Sequence, residues 1–243
     1  MGLLPDISEH AHSTAVIALS LSGETISARS GSDNQWEDHQ AYFLPADIPN
    51  EMRQYDKPIA CIFIEPDSDL YQRFLKQHGF DENRLSPYRY RLQNLRSILN
   101  AFSETPSNPD ELSLSITEAL HDLYPPLKEI DQRVVRCASI IKENIGDNLS
   151  ANVLASLVDL SERQLSSLFK RDMGLPIRKY RLWSRLKNVA QLVNDGNLLT
   201  DAAIASGFSD SAHFSNSCRK LLGLKPTDIM ETGKPLTLLA TTR

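Results

Sequence analysis

Five cationic side chains, Arg178, Lys179, Arg181, Arg185 and Lys187, fall within ten residues of one stretch. Guanidinium and ammonium groups on long arms suit phosphate oxygens, and a row of them makes binding to a polyanion steeply salt-dependent. The other residues able to do chemistry are sparse. His10 and His12 are spaced to share one face of a strand, where two imidazoles can hold a metal. No glutamate and third histidine follow at ligand spacing, and the pair sits near the N-terminus, so a metal role is rejected. His39 and His78 read as surface residues. Cys61, Cys137 and Cys218 are odd in number, far apart and outside any C-x-x-C pair. That pattern argues against a disulfide framework or zinc site and for buried small hydrophobes. The expectation is a protein without enzymatic activity, metal or cofactor.

The charge is unevenly shared along the 243 residues, whose net charge is −5. Residues 1–130 carry 10 Lys+Arg against 20 Asp+Glu, or −10, and residues 131–243 carry 16 against 11, or +5. An acidic half joined to a basic half suggests that only the second meets a polyanion. No run of 18 apolar residues exists, and the N-terminus lacks the basic start and apolar stretch of a signal peptide, so a cytoplasmic location is expected.

The elements that must position the basic residues follow from periodicity. Up to about residue 65 the chain reads as short strands: Thr14–Leu21, Thr25–Arg29, Gln40–Leu44 and Lys57–Ile64, separated by turn residues. Close strands of this kind predict a small antiparallel barrel or sandwich. After Pro66 the period becomes helical. Asp67 or Ser68 opens a helix to about His78, Ser86–Pro87 one to about Ala101, and a third spans Glu111–Leu123 with Leu112, Ile116 and Leu120 at helical spacing. Tyr124–Pro125–Pro126 breaks it, giving domains 1–126 and 127–232 and a loose tail 233–243. From Asp131 onward every signal is helical. Ser150 caps one helix, Ser161 caps the next with Gln164 completing a capping box, Gly174 stops it, and Pro176 restarts a helix to about Asn194. Thr200 caps a short helix ended by Gly207, and Ser209 or Asp210 opens another ended by Gly223.

Two segments of this half repeat one pattern. Ala155 stands four residues before Asp159, followed by Leu160–Ser161 and apolar Leu165, Leu168 and Phe169. Ala203 stands four residues before Gly207, followed by Phe208–Ser209 and Phe214. Each reads as helix, tight turn, helix. A small side chain lets the helices cross closely, a left-handed residue makes the turn, and the apolar residue after it plugs the corner. The helix between them, of about 18 residues, is about 27 Å long, comparable with the roughly 34 Å repeat of the major groove along one face of B-DNA.

Residues 131–230 therefore resemble the DNA-binding domain of AraC/XylS transcription regulators, on LASLVDLSERQLSSLFKRDMGLP (Leu154–Pro176) and DAAIASGFSDSAHFSNSCRKLLGLKP (Asp201–Pro226). The resemblance implies a seven-helix domain with two helix-turn-helix units scaffolded by Ala155, Asp159, Ala203, Gly207 and Phe208. It implies Arg163, Ser166 and Ser167 as base readers in the first unit and Ser211, Ala212, Ser215 and Asn216 in the second. Lys170, Arg178, Arg181, Arg185, Arg219 and Lys220 are the phosphate candidates. It implies double-stranded DNA as partner, with RNA polymerase, a small-molecule effector and a second copy of the chain as further partners of an activator. Where the family usually carries glycine, this chain has Asp159.

Members of that family often place a cupin-like antiparallel β-barrel and helices before this domain, and the fold class expected is α+β: such a sensing and dimerisation domain followed by an all-α one. Trp36, Tyr42 and Phe43 are the pocket candidates. The stripe Leu112, Ile116 and Leu120 would pair with its copy in a dimer or pack on its own barrel. Other functions weighed are a ligand-independent adaptor run by a protein partner, a metal cupin enzyme and an alkylation-repair methyltransferase. The last two need a His/Glu ligand cluster or a reactive cysteine.

Overall fold

The computed structural model describes residues 7–30, 35–44, 46–53, 57–68, 70–71, 86–87, 92–105, 108–121 and 130–227. The domain boundary near 126, the tail 233–243 and the helix expected up to His78 lie outside them.

The N-terminal strands make two antiparallel four-stranded sheets. One has the order β1-β6-β3-β4, from Ile7–His10, Asn50–Met52, Ile26–Ser30 and Glu37–His39. The other has the order β7-β2-β5-β8, from Ile59–Ile64, Ala15–Ser20, Ala41–Leu44 and Ser86–Pro87. The barrel expected from sequence is thus corrected: among the described strands the sheets do not join into a closed cylinder. The reason lies in β2. All six of its residues are buried, so both faces are covered. Ile17 and Leu19 face Leu95, Leu99, Leu112 and Leu120 of two helices, α1 (Leu92–Glu104) and α2 (Pro109–His121). Val16 and Ala18 face Ile26, Ala28 and Met52 of the other sheet. Helices, sheet and sheet make three layers. Leu112 and Leu120 are buried in that core and Ile116 packs on it, which places the helical stripe on its own domain. Ser86–Pro87, expected to open a helix, instead forms the edge strand opposite Tyr42 and Phe43.

The three pocket candidates are placed apart. Tyr42 is buried between the sheets and Phe43 between sheet and helices. Trp36 lies on the outer side beneath two guanidinium groups, Arg53 at 4.0 Å and Arg29 at 5.0 Å from the ring centroid. No common pocket brings them together.

The second half is helical: α3 (Gln132–Glu143), α4 (Ala151–Ser156), α5 (Glu162–Met173), α6 (Ile177–Asn194), α7 (Leu199–Ala205) and α8 (Ser211–Leu222). Asp131, Ser150, Ser161 and Asp210 cap α3, α4, α5 and α8 through side-chain oxygens. The expected Ser161–Gln164 capping box is present. Helix α7 departs from expectation: it starts at Leu199, before Thr200, and has no side-chain cap. Helix α6 is buried along Trp183, Ser184, Arg185 and Leu186, four consecutive residues covering every face. A helix covered all round is a central rod rather than an amphipathic surface helix.

The two halves meet along α6 and the end of α8. Phe63 of β7 stacks on Trp183 with centroids 5.2 Å apart. Carboxylates of the acidic half meet cations of the basic half: Glu65 with Lys187 at 2.9 Å, Asp67 with Lys142 at 2.7 Å, and Asp47 with Lys179. Tyr180 also donates its hydroxyl hydrogen to Asp67 at 3.1 Å. Part of the charge asymmetry visible in the sequence therefore joins the protein to itself. Leu224, just past α8, is buried in the core between the sheets.

Candidate nucleic-acid interface

The two turns have the same construction. In the first, between α4 and α5, the Leu160 N–H donates to the Ala155 carbonyl at 3.0 Å. In the second, between α7 and α8, the Phe208 N–H donates to the Ala203 carbonyl at 3.1 Å. Each bond spans five residues and requires a left-handed residue just before its donor. Asp159 supplies it with φ 55° and Gly207 with φ 87°. Ala155 and Ala203 are buried where the helices cross, and Phe208 fills the second corner. A left-handed conformation is strained for a residue with a Cβ, though Asp tolerates it better than most. Asp159→Gly is therefore expected to raise stability by about 0.5–1 kcal/mol, offset in part by the freer unfolded chain. That corresponds to about 2 °C in Tm by calorimetry. An unchanged or lowered Tm would show that the Asp159 side chain is needed where it stands.

The read-out positions expected from sequence are displayed on the second helix of each unit. Arg163, Ser166 and Ser167 on α5 are exposed, as are Ser211, Ala212 and Asn216 on α8, while Ser215 is half-buried. Asn216 accepts a hydrogen bond from Arg219 at 3.0 Å, so the two long side chains of α8 are held together. Beside α5 lies a surface groove of about 560 Å³ bordered by Arg133, Arg163 and Arg171, with Gln164 and Ser167 between them. Arg133 leans on Asp131, and Arg171 on Asp172. Arg133 and Arg171 escaped sequence reasoning because they belong to different helices, and only the fold brings them to one groove.

The phosphate candidates divide. Lys170, Arg178, Arg219 and Lys220 are exposed. Arg181 and Arg185 are turned inward. Arg181 donates to the Asn148 side chain at 2.9 Å and to the Leu149 carbonyl at 2.5 Å. Arg185 is 8% exposed and donates to the carbonyls of Ile145 at 3.2 Å and Asp147 at 3.4 Å. The same guanidinium lies against the second turn, where a Cβ on Gly207 would come within 2.9 Å of it. Arg185 thus ties the loop entering the first unit to the turn of the second. Its expected phosphate role is corrected: burial and carbonyl partners occupy the side chain.

His10 and His12, set aside in the sequence as a pair near a loose end, are buried at the seam with α8. Cys137 and Cys218 are buried, as expected, and Cys61 is half-buried. Burial pushes the thiol pKa up to about 11 for Cys61 and Cys137 and to about 12 for Cys218, which holds all three as thiols at neutral pH.

Two helix–turn–helix arrangements hang on one buried rod, and each shows a small polar face on its second helix. Comparison with known proteins agrees. A helix-turn-helix domain family matches residues 154–232. The probable transcriptional regulator LumQ of Photobacterium leiognathi is 29% identical over 145 residues, 56% of this chain and 58% of that protein. The arabinose operon regulatory protein of Escherichia coli is 27% identical over 122 residues, 49% of this chain and 41% of that protein. The chain thus covers less than two thirds of the length of either. Among solved structures, an apo variant of ToxT from Vibrio cholerae superposes with a TM-score of 0.62 at 11% identity, covering 99% of this chain and 96% of that one. Wild-type ToxT with unsaturated fatty acid bound gives 0.59 at 13% identity, covering 96% and 94%. These likenesses show the fold: an N-terminal β-sheet domain followed by a helical one. In sequence, the C-terminal half holds the segment matched by the helix-turn-helix domain family and is similar to these curated transcription regulators.

Proposed function

We propose that the chain is a sequence-specific transcription regulator that lays α5 and α8 into successive major grooves of one duplex. The observation that carries this reading is the duplicated turn, with Ala155, Asp159 and Leu160 matched by Ala203, Gly207 and Phe208 on either side of an 18-residue helix. The rod is about 27 Å long, which suits grooves that repeat every 34 Å or so. Arg163 reads bases in the first groove and Asn216 in the second, as the two side chains able to make bidentate contacts. The serines add little discrimination, so shape and phosphate contacts complete the specificity. The test is selection of bound fragments from genomic DNA followed by a mobility-shift assay. Arg163→Ala is expected to relax preference at one base position by about 1–3 kcal/mol while leaving non-specific binding nearly intact. Unchanged operator preference would remove Arg163 from the reading.

Salt dependence follows from the exposed cations. Lys170, Arg178, Arg219 and Lys220, joined by Arg133 and Arg171 at the groove, present six positive side chains besides the base-reading Arg163. If about six phosphates are neutralised, log K falls with log salt at a slope of about −5. Each of Arg133→Ala and Arg171→Ala is expected to flatten it by about 1. A slope shallower than about −2 contradicts a two-groove contact.

We place effector reception at the seam between the halves, because Tyr42 and Phe43 fill the sheet domain. Ser13 Oγ and Trp183 Nε1 are buried in that region, with no hydrogen-bond partner among the described residues. Unsaturated fatty acids are the first class to screen, since a structural neighbour was solved with one bound. A rise in Tm with such a ligand supports the assignment. A full panel without a shift favours an adaptor controlled by a protein partner, the reading to which the filled sheet interior otherwise points.

A further inference from the structure

The two buried histidines of the seam form a chain of three contacts through their four ring nitrogens. His10 Nδ1 lies 2.8 Å from the Ser8 carbonyl, and His12 Nδ1 lies 2.8 Å from the Leu221 carbonyl at the end of α8. The two Nε2 atoms face each other at 3.0 Å. The rings meet edge to face. A carbonyl only accepts, so each Nδ1 must carry a proton to satisfy its contact. The facing Nε2 atoms form a hydrogen bond only if one of them carries a proton and the other does not. The three contacts are therefore satisfied together by three protons, one in each. Two protons leave either two lone pairs face to face or one carbonyl facing a lone pair. Four protons set two N–H groups against each other.

We propose that His10 and His12 form an acid-labile latch that holds the N-terminal sheets on the end of the second recognition helix. The position is built for close contact. Gly223, with φ 69°, lies so near β1 that a Cβ there would come within 2.5 Å of Ile7 and 2.6 Å of His10 Nδ1. Ser8 also donates its hydroxyl hydrogen to the Gly223 carbonyl at 3.2 Å. Phe63 closes the outer side of His12, with centroids 5.5 Å apart. The other ionisable groups on the surrounding elements are Glu9 on β1, Glu51 on β6 paired with Arg29, Cys61 on β7, Glu65 just past β7 paired with Lys187, and His213, Cys218, Arg219 and Lys220 on α8. Burial, and after it the charge of His10, drives the His12 pKa down to about 3, while burial lowers that of His10 as well.

The direction of the pH effect follows from proton counts. Released into water, the two imidazoles take up protons near pH 6.5 and together carry four in acid. Latched, they carry at most three. Below pH 6 the latched state therefore holds at least one proton fewer, and its population relative to the open state falls about tenfold per pH unit. Acid frees the end of α8 from the sheets. Any effect on operator binding rests on the DNA-binding reading above, whereas the latch itself does not.

The test uses the full chain with Trp36→Phe, so that emission reports Trp183, which stacks on Phe63 beside His12. Between pH 8 and 5 the emission is expected to shift to the red below about pH 6.5, with the far-ultraviolet dichroism unchanged. In the His10→Gln/His12→Gln chain, which cannot titrate there, the shift should be absent. An identical emission profile in that variant overturns the latch. Histidine ring ¹⁵N spectra of the unsubstituted chain give a second reading that needs no variant. Both rings protonating near 6.5 with the seam intact overturns the proposal, and so does stoichiometric zinc capture by the pair. Depressed titration of at least one ring, together with the red shift, supports it. Failure to bind DNA would leave either result standing.

Discussion

Gly207→Val is expected to destabilise the chain by about 3 kcal/mol, the sum of two separate penalties. A β-branched residue held at φ 87° is strained by about 1–3 kcal/mol. Its Cβ would also lie 2.9 Å from the Arg185 guanidinium, and overpacking at a built contact costs about 1–3 kcal/mol. At about 2–4 °C per kcal/mol, the expected fall in Tm is about 10 °C. Gly196 is the internal control. Its φ of 91° is nearly the same, yet nothing lies within 4 Å of where its Cβ would be. Gly196→Val should therefore suffer the backbone penalty alone. Equal losses at the two positions would show that the contact between Arg185 and the second turn contributes nothing.

The contrast between these glycines marks how far the sequence could be read. The turn at Gly207 was legible because its chemistry is local: a small residue, a left-handed residue and an apolar plug at fixed spacing. The Ser161–Gln164 capping box was legible for the same reason. Strands β2, β3, β5 and β7 were legible as apolar runs between turn residues. Strands β1, β4 and β6 were not. Glu37–His39 and Asn50–Met52 hold no apolar run, and they are strands because β3 offers both its edges. The fate of the basic residues on α6 was misjudged because charge was read without face. Arg181, Arg185 and Val189 stand four residues apart and so lie along one side of the helix. Val189 is buried, which turns that side inward. The buried seat of His10 and His12 was not legible, because the carbonyl that faces His12, that of Leu221, is 209 residues away in sequence. A long-range contact with a backbone atom leaves no mark on composition or spacing.

Arg185→Met is expected to separate the two helix-turn-helix units while leaving each folded. Methionine keeps most of the apolar stem and removes the fork, so the change isolates the polar contacts. Two loop carbonyls, of Ile145 and Asp147, lose a charged donor. Hydrogen bonds to charged groups contribute about 1.5–3 kcal/mol, and the long distances here place the loss near 2 kcal/mol. The larger effect falls on DNA. On the proposed function, with α6 as a rigid rod and Arg185 tying the loop before the first unit to the turn of the second, binding by the first unit presents the second at the correct angle. Without the fork the second unit must be ordered on the DNA, and ordering a loop and its side chains costs of the order of 1–2 kcal/mol. Affinity for a full site is thus expected to fall about tenfold, with affinity for either half-site unchanged. The Gly207→Ala variant then separates a mechanical link from a general weakening. If Arg185 presses on the turn, Gly207→Ala should cost less in the Arg185→Met chain than in the native one, by about 1 kcal/mol. If the two losses simply add, the units are set by the rod alone, and the guanidinium belongs to the first unit only.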